Sequence, residues 1–139
     1  MSDPYNLERF VSAQNPVYEH VCAELRNGQK RGHWMWFIFP QLQGLGHSQM
    51  AATFGISSRD EAEAYLNHPI LGPRLTECTR LVNSVVGCAI HQIFGSPDDL
   101  KFRSSMSLFA SASSEDQVFK EALQKYFGGA PDRLTIDRV

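Results

Sequence analysis

His33-Trp34-Met35-Trp36-Phe37-Ile38-Phe39-Pro40 contains the longest uninterrupted apolar run of the chain, Trp34 to Phe39. A continuous apolar run this short fits either a strand buried on both faces or a buried helical turn, and periodicity alone does not separate the two. The rest of the chain does. No other segment makes a strong partner strand, so a strand here would leave its backbone N–H and C=O groups unpaired. A helical turn satisfies those groups internally, and Pro40 ends it. The run is read as helix, which makes the chain all-α.

Helix punctuation extends outward from this run in both directions. Upstream, Asn15 is placed as a cap and Pro16 as the first helical residue. Val17, Tyr18, Val21, Cys22 and Leu25 form the apolar stripe, and Gly28 closes the helix. Before it, Asn6 opens a shorter helix with Leu7, Phe10 and Val11. Downstream, the loop Gln41 to Ser48 precedes a short helix, Gln49 to Phe54, ended by Gly55. Ser58-Arg59-Asp60-Glu61 is a capping box for a helix with Ala62, Tyr65 and Leu66 inward, interrupted at His68-Pro69. From Pro69, residues Leu71, Leu75, Cys78, Val82 and Val85 mark one face as far as Gly87, which predicts the central helix. Ala89 to Phe94 adds a turn or two, and Ser96-Pro97-Asp98-Asp99 combines a cap, a first-turn proline and acidic residues. Leu100, Met106, Leu108 and Phe109 follow. Ser114-Glu115-Asp116 starts the last clear helix, with Val118, Phe119, Ala122, Leu123 and Tyr126 inward before Gly128-Gly129, and the final residues read as a short turn or fraying tail. The expectation is a compact single-domain bundle over residues 1–139, with about six to eight helices, some short.

Composition sets the limits on function. The 139 residues, 42% hydrophobic and 11% aromatic, supply enough apolar material for one core, which excludes intrinsic disorder. Thirteen Lys and Arg against fifteen Asp and Glu give a charge of -2, too little positive excess to predict binding to nucleic acid or an anionic bilayer. A six-residue apolar run is far from the roughly 20 residues that cross a membrane. Met1-Ser2-Asp3-Pro4 is acidic where a secretory signal is basic and then apolar, so a cytoplasmic location is expected. Cys22, Cys78 and Cys88 are odd in number with no C-x-x-C pair, and read as reduced, mostly buried thiols. The five histidines lack metal-ligand spacing; neither a metal nor a cofactor is predicted.

Several clusters are candidates for ligand binding. In Gln41-Leu42-Gln43-Gly44-Leu45-Gly46-His47-Ser48, glycines permit close backbone approach, and the amides at the following helix start, with Ser48, offer donors to an anion. No strand precedes the loop and no Gly-Lys-Ser follows, so the nucleotide-loop motifs do not apply; the plain alternative is a turn and a helix cap. Trp34, Trp36, Phe37 and Phe39 beside His33 and Gln41 suit a stacking wall, or simply the densest part of the core. Arg74, six residues after His68, suits bidentate contact with phosphate or carboxylate, or a surface pair with Glu77. Lys101, Arg103 and Ser105 can complete an anion pocket. His33 and His68 are the candidate acid or base if chemistry occurs. Cys88 and His91, three apart, are a poor nucleophile and base pair with no orienting group.

The same segments carry a resemblance. Asp3-Pro4-Tyr5-Asn6-Leu7-Glu8-Arg9-Phe10-Val11, His33 to Gln41, Gly44-Leu45-Gly46, His68-Pro69-Ile70-Leu71-Gly72 and Asp98 to Met106 together resemble domain of unknown function family 1810, across nearly the whole chain. Members often carry the label calpastatin, although this chain has none of the disordered, repetitive character of such an inhibitor. The resemblance implies a compact, mostly helical domain and brings no catalytic residue with it. Ser107 stands where the family more usually has threonine.

Two functions are expected from these readings. In the first, the domain binds a small anionic or phosphorylated metabolite, nucleotide-like or ADP-ribose-like. Trp36 stacks, Gln41, Gly44, Gly46, Ser48 and Ser105 supply donors, and Arg74, Lys101 and Arg103 supply charge. In the second, the domain is a non-enzymatic interaction or structural module in which the same residues are caps and buried networks. Oligomeric state is not legible.

Overall fold

The computed structural model describes residues 3–113 and 117–139. Among them ten helices follow one another: α1 (Glu8–Gln14), α2 (Tyr18–Arg26), α3 (Met35–Ile38), α4 (Gln49–Phe54), α5 (Arg59–Asn67), α6 (Leu71–Asn83), α7 (Ile90–Phe94), α8 (Asp98–Ala112), α9 (Val118–Phe127) and α10 (Arg133–Ile136). Six have seven residues or more. The excess over the expected six to eight comes from one-turn pieces such as α3 and α10. The apolar run of residues 34–39 is helical, as one turn ending at Phe39. Extended pairing is limited, among the described residues, to an isolated bridge between Leu42 and Ile56. The Gln43 amide donates to the Ile56 carbonyl at 2.7 Å, and the Ile56 amide to Gln41 at 2.9 Å.

The helix at the centre is α8 rather than α6. α8 packs on α5, α7, α9 and α10, and Ser104, Ser105, Met106, Ser107, Leu108 and Phe109 are buried in succession, so it is enclosed on every side. α6 keeps one apolar stripe, against α2, α5 and α9. Serines conceal this from a hydrophobicity pattern. Ser104 Oγ donates to the Leu100 carbonyl at 3.2 Å and Ser107 Oγ to Arg103 at 2.8 Å, which satisfies the hydroxyls inside the helix's own turns. Two groups of rings pack beside α8. Phe39, Phe94 and Phe102 have centroids 4.9 to 5.8 Å apart. Tyr65 contacts Phe10 at 5.1 Å and Phe109 at 5.3 Å.

Several helix starts differ from expectation. Asn6 does not cap α1; it sits at φ 51°, and the Asp3 carboxylate accepts from the amides of Leu7 at 2.8 Å and Glu8 at 3.1 Å. Asn15 closes α1, its amide donating to Val11, and α2 begins only at Tyr18 after Val17. Ser58 does cap α5, accepting from the Glu61 amide at 3.2 Å, but Glu61 completes no reciprocal box and instead holds Ser57 and Arg9. α6 ends at Asn83, which leaves Val85 outside it. Pro97 rather than Ser96 precedes α8, without a side-chain cap. The cap expected at Ser114-Glu115-Asp116 lies outside the described residues, as do Met1 and Ser2. Gly128 closes α9 at φ 62°, and the tail forms α10, capped by the Asp132 carboxylate.

Candidate functional site

α3, the loop after it and α4 bring three of the expected ligand residues together. Trp36, Gln41 and Gly46 line one recess with Ala51 and Phe54. Its volume is about 10 Å³, room for at most a single water. Gly46 is needed there for protein packing, because a Cβ at this position would lie 2.7 Å from the Ala51 Cβ. Ser48 Oγ accepts from the Ala51 amide at 3.1 Å and is the cap of α4. Gly44 adopts φ 93°, and a Cβ on it would stand 3.2 Å from Arg138 Nη1.

Charge gathers on the outer side of the two tryptophans. Lys30 Nζ lies 5.1 Å from the Trp34 ring and Lys101 Nζ 5.2 Å from the Trp36 ring, both within cation–π range. The two lysines share one carboxylate, Asp98, at 2.9 Å from Lys30 and 3.4 Å from Lys101. Asp99 turns instead to His91, at 3.5 Å, so His91 pairs with a carboxylate rather than with Cys88. Trp34 is buried and its indole N–H donates to Glu24 at 2.9 Å. Trp36 is only partly buried against the core.

Glu24 holds the loop that leads into α3. Its Oε1 also accepts from the amides of Arg31 at 2.7 Å and Gly32 at 2.9 Å. Burial raises the Glu24 carboxyl, but these three hydrogen bonds and the nearby Lys30 outweigh burial and leave it below its ordinary value. A carboxyl depressed in the folded state contributes stability above its unfolded pKa of about 4.5, and that contribution is lost as pH falls through the lower folded value. Glu24→Gln is therefore expected to lower Tm at pH 7 by several degrees and to leave it nearly unchanged at the acid end of the transition. A Tm difference independent of pH would contradict this role.

The remaining expected site residues do not join this region. Arg74 Nη1 donates to Gln14 Oε1 at 3.2 Å, and its guanidinium lies 4.7 Å from the Tyr18 ring. Gln14, itself buried, donates to the Phe37 carbonyl and to Tyr65 Oη, so Arg74 belongs to a polar network between α1, α2 and α6. Arg103 Nε donates to the Ala130 carbonyl at 3.0 Å, with its guanidinium 5.5 Å from the Phe127 ring, and so ties down the C-terminal segment. Ser105 is fully buried and its hydroxyl finds no partner among the described residues. His68 Nδ1 accepts from the amides of Ile70 at 3.1 Å and Leu71 at 3.3 Å, which makes it a cap for α6. His33 is exposed. Among the described residues, no three His, Cys, Asp or Glu side chains are grouped to hold a metal ion, and no helix is long and apolar enough to cross a membrane.

Residues 4–139 match the model of a family described as a protein of unknown function, DUF1810. The chain belongs to the DUF1810 family. It is similar to the crystal structure of the conserved hypothetical protein Rv1873 from Mycobacterium tuberculosis, with a TM-score of 0.96 and 61% identity, over 97% of this chain and 96% of that one. No curated protein gives a significant match. The DUF1810 likeness extends over the whole bundle, including the segments around Trp36 and Lys101. Three groups important to the geometry escape a sequence reading. Arg138 follows the last helix with no motif around it, Glu24 looks like an ordinary surface acid on α2, and the Arg9 to Glu61 pair spans 52 positions.

Proposed function

We propose that this DUF1810 domain binds a small anionic metabolite carrying an apolar or aromatic group, at the rim where Lys101 lies over Trp36, beside the recess that Trp36 and Gln41 line. The observation that carries the reading is the sharing of Asp98 by two lysines, which leaves Lys101 as a cation over the half-buried Trp36 ring without a carboxylate of its own. A second cation stands at the loop that follows Gln41, since the Arg138 guanidinium lies against Gly44. The ligand lies across the rim rather than in the recess, which is too small for it. Phosphate or carboxylate is the group that Lys101 recognises, and the indole edge is the surface for the apolar part. Relative to the sequence reading, Lys101 replaces Arg74 as the principal charge.

Thermal shift with a panel of phosphorylated nucleosides and ADP-ribose tests the proposal. A ligand at about 100 times its Kd stabilises the fold by roughly 2.7 kcal/mol, a shift of several degrees. Lys101→Ala is expected to abolish the shift and change unliganded stability by less than about 1 kcal/mol, because its contact with the shared Asp98 carboxylate is partly exposed. No shift from any member of the panel would instead favour the interaction-module reading. That second reading draws support from one specific observation: Ser48 and His68 are caps, and Arg74 and Arg103 are structural ties.

A further inference from the structure

A cleft of about 430 Å³ opens between the N-terminal turn, the end of α4 and the start of α5. That volume lies in the range of small-molecule sites, roughly 300–1,000 Å³. The anion-binding reading does not use it. Two charged residues line the cleft, Arg9 and Glu61, and their ion pair at 2.9 Å leaves it neutral. Around them stand Tyr5, Asn6, Gln43 and Ser57, which carry polar groups without charge. Glu61 is buried, and its Oε1 accepts from the Ser57 amide and hydroxyl at 2.9 and 2.7 Å.

The bonds of Arg9 decide which part of it a ligand meets. Its Nε donates to the Thr53 carbonyl at 2.8 Å, Nη1 to the Tyr5 and Asn6 carbonyls at 2.5 and 2.9 Å, and Nη2 to Gly55 and Glu61 at 3.0 and 2.9 Å. A guanidinium has its five N–H donors in its plane, so these acceptors engage all of them. Phe10 covers one face, its ring centroid 4.4 Å from Cζ. The side chain is still 18% exposed and lines the cleft. What stays open is the opposite face of a flat cation held in place on its edges. Flat rings stack on such a face. The carboxamides of Asn6 and Gln43, exposed at the same cleft, match a ring edge that carries both donors and acceptors. A nucleobase has the ring and the edge. An anion would find no unused donor on Arg9 and would meet the Glu61 carboxylate.

We propose that this cleft binds a neutral nucleobase or nucleoside, stacked on the open face of Arg9 with its polar edge toward the carboxamides of Asn6 and Gln43. The left-handed backbone of Asn6, at φ 51°, is held by Arg9 through the Asn6 carbonyl, so the stacking surface and one edge-reading residue are fixed to each other before a ligand arrives. Gly55 borders both this cleft and the recess beside Trp36, which makes separation of the two places part of the test.

The test is nitrogen-15 NMR of the full chain titrated with adenosine, guanosine, cytidine and uridine, none of which carries phosphate. The Arg9 Nε–H, held against the Thr53 carbonyl, reports directly on a ring placed over the guanidinium. At least one nucleoside is expected to move that signal and the side-chain amide signals of Asn6 and Gln43 saturably, while ribose alone moves none of them. The shift is expected to persist in Lys101→Ala, which separates this cleft from the Trp36 rim. Asn6→Gly, which keeps the positive φ, combined with Gln43→Ala is expected to raise Kd at least about tenfold, with the unliganded Arg9 signal unchanged as the check on folding. An Arg9 signal unmoved by all four nucleosides at millimolar concentration would overturn the proposal. So would an equal response to ribose, an unchanged Kd in the double variant, or loss of the shift in Lys101→Ala.

Discussion

Gly72→Ala is expected to destabilise the protein by about 3 kcal/mol, although the substitution places a better helix former inside a helix. Gly72 lies in the first turn of α6, where alanine's intrinsic preference is worth about 1 kcal/mol in favour of the variant. The close approach of α5 opposes that gain and exceeds it. A Cβ on Gly72 would stand 2.1 Å from the Leu66 carbonyl oxygen and 3.0 Å from the Leu66 carbonyl carbon. Both are backbone atoms in the last turn of α5, so no side chain can rotate away. Relief requires α5 and α6 to separate, and that motion pulls the amides of Ile70 and Leu71 from His68 Nδ1. Urea denaturation checks the outcome. Unchanged or increased stability would mean that the connection yields and that Gly72 is not the residue that sets this packing.

Arg9→Ala is expected to cost about 3 to 5 kcal/mol, the largest loss from any single charged side chain here. Glu61 is only 3% exposed, and its partner Arg9 Nη2 is 2.9 Å away. Removing the guanidinium leaves a buried carboxylate that retains only the amide and hydroxyl of Ser57, at 2.9 and 2.7 Å. It also strips donors from the carbonyls of Asn6, Thr53 and Gly55, so the N-terminal segment and the end of α4 lose their common tie. Arg9→Lys is expected to recover little, because a single ammonium cannot reproduce the fork that spans these acceptors. Paired removal, Arg9→Met with Glu61→Leu, should be far less damaging than either change alone, since no buried charge is then stranded. Equal losses from the single and double variants, measured by denaturant midpoint, would show that the pair does not act as a unit.

Features confined to neighbouring residues were legible in the sequence. Pro40 after an apolar run without a strand partner indicated the single turn of α3, and Ser58 and Ser48 announced the starts of α5 and α4. Features that depend on distant residues were not. α8 looked less central than α6 because three serines interrupt its buried residues, and only the structure shows the hydroxyls of Ser104 and Ser107 bonded one turn back along the helix. The candidate site divides in the same way. Trp36, Gln41 and Gly46 lie close along the chain and share a recess, whereas Arg74 and Arg103 were grouped with them on chemistry alone and have other partners. Residue type alone made Arg74 the attractive anion ligand. The buried amide of Gln14 that engages it lies 60 positions away.

The two indole N–H groups provide the most direct measurement of ligand binding at the Trp36 rim. Trp34 is buried with its N–H bonded to Glu24, while Trp36 is partly exposed beneath Lys101. A nitrogen-15 NMR titration with phosphorylated nucleosides and ADP-ribose reads both in one spectrum. Binding at the rim shifts the Trp36 indole signal in a saturable manner, leaves that of Trp34 in place, and is lost in Lys101→Ala. An unmoved Trp36 signal across the whole panel, or a shift that persists in Lys101→Ala, would contradict the proposed site.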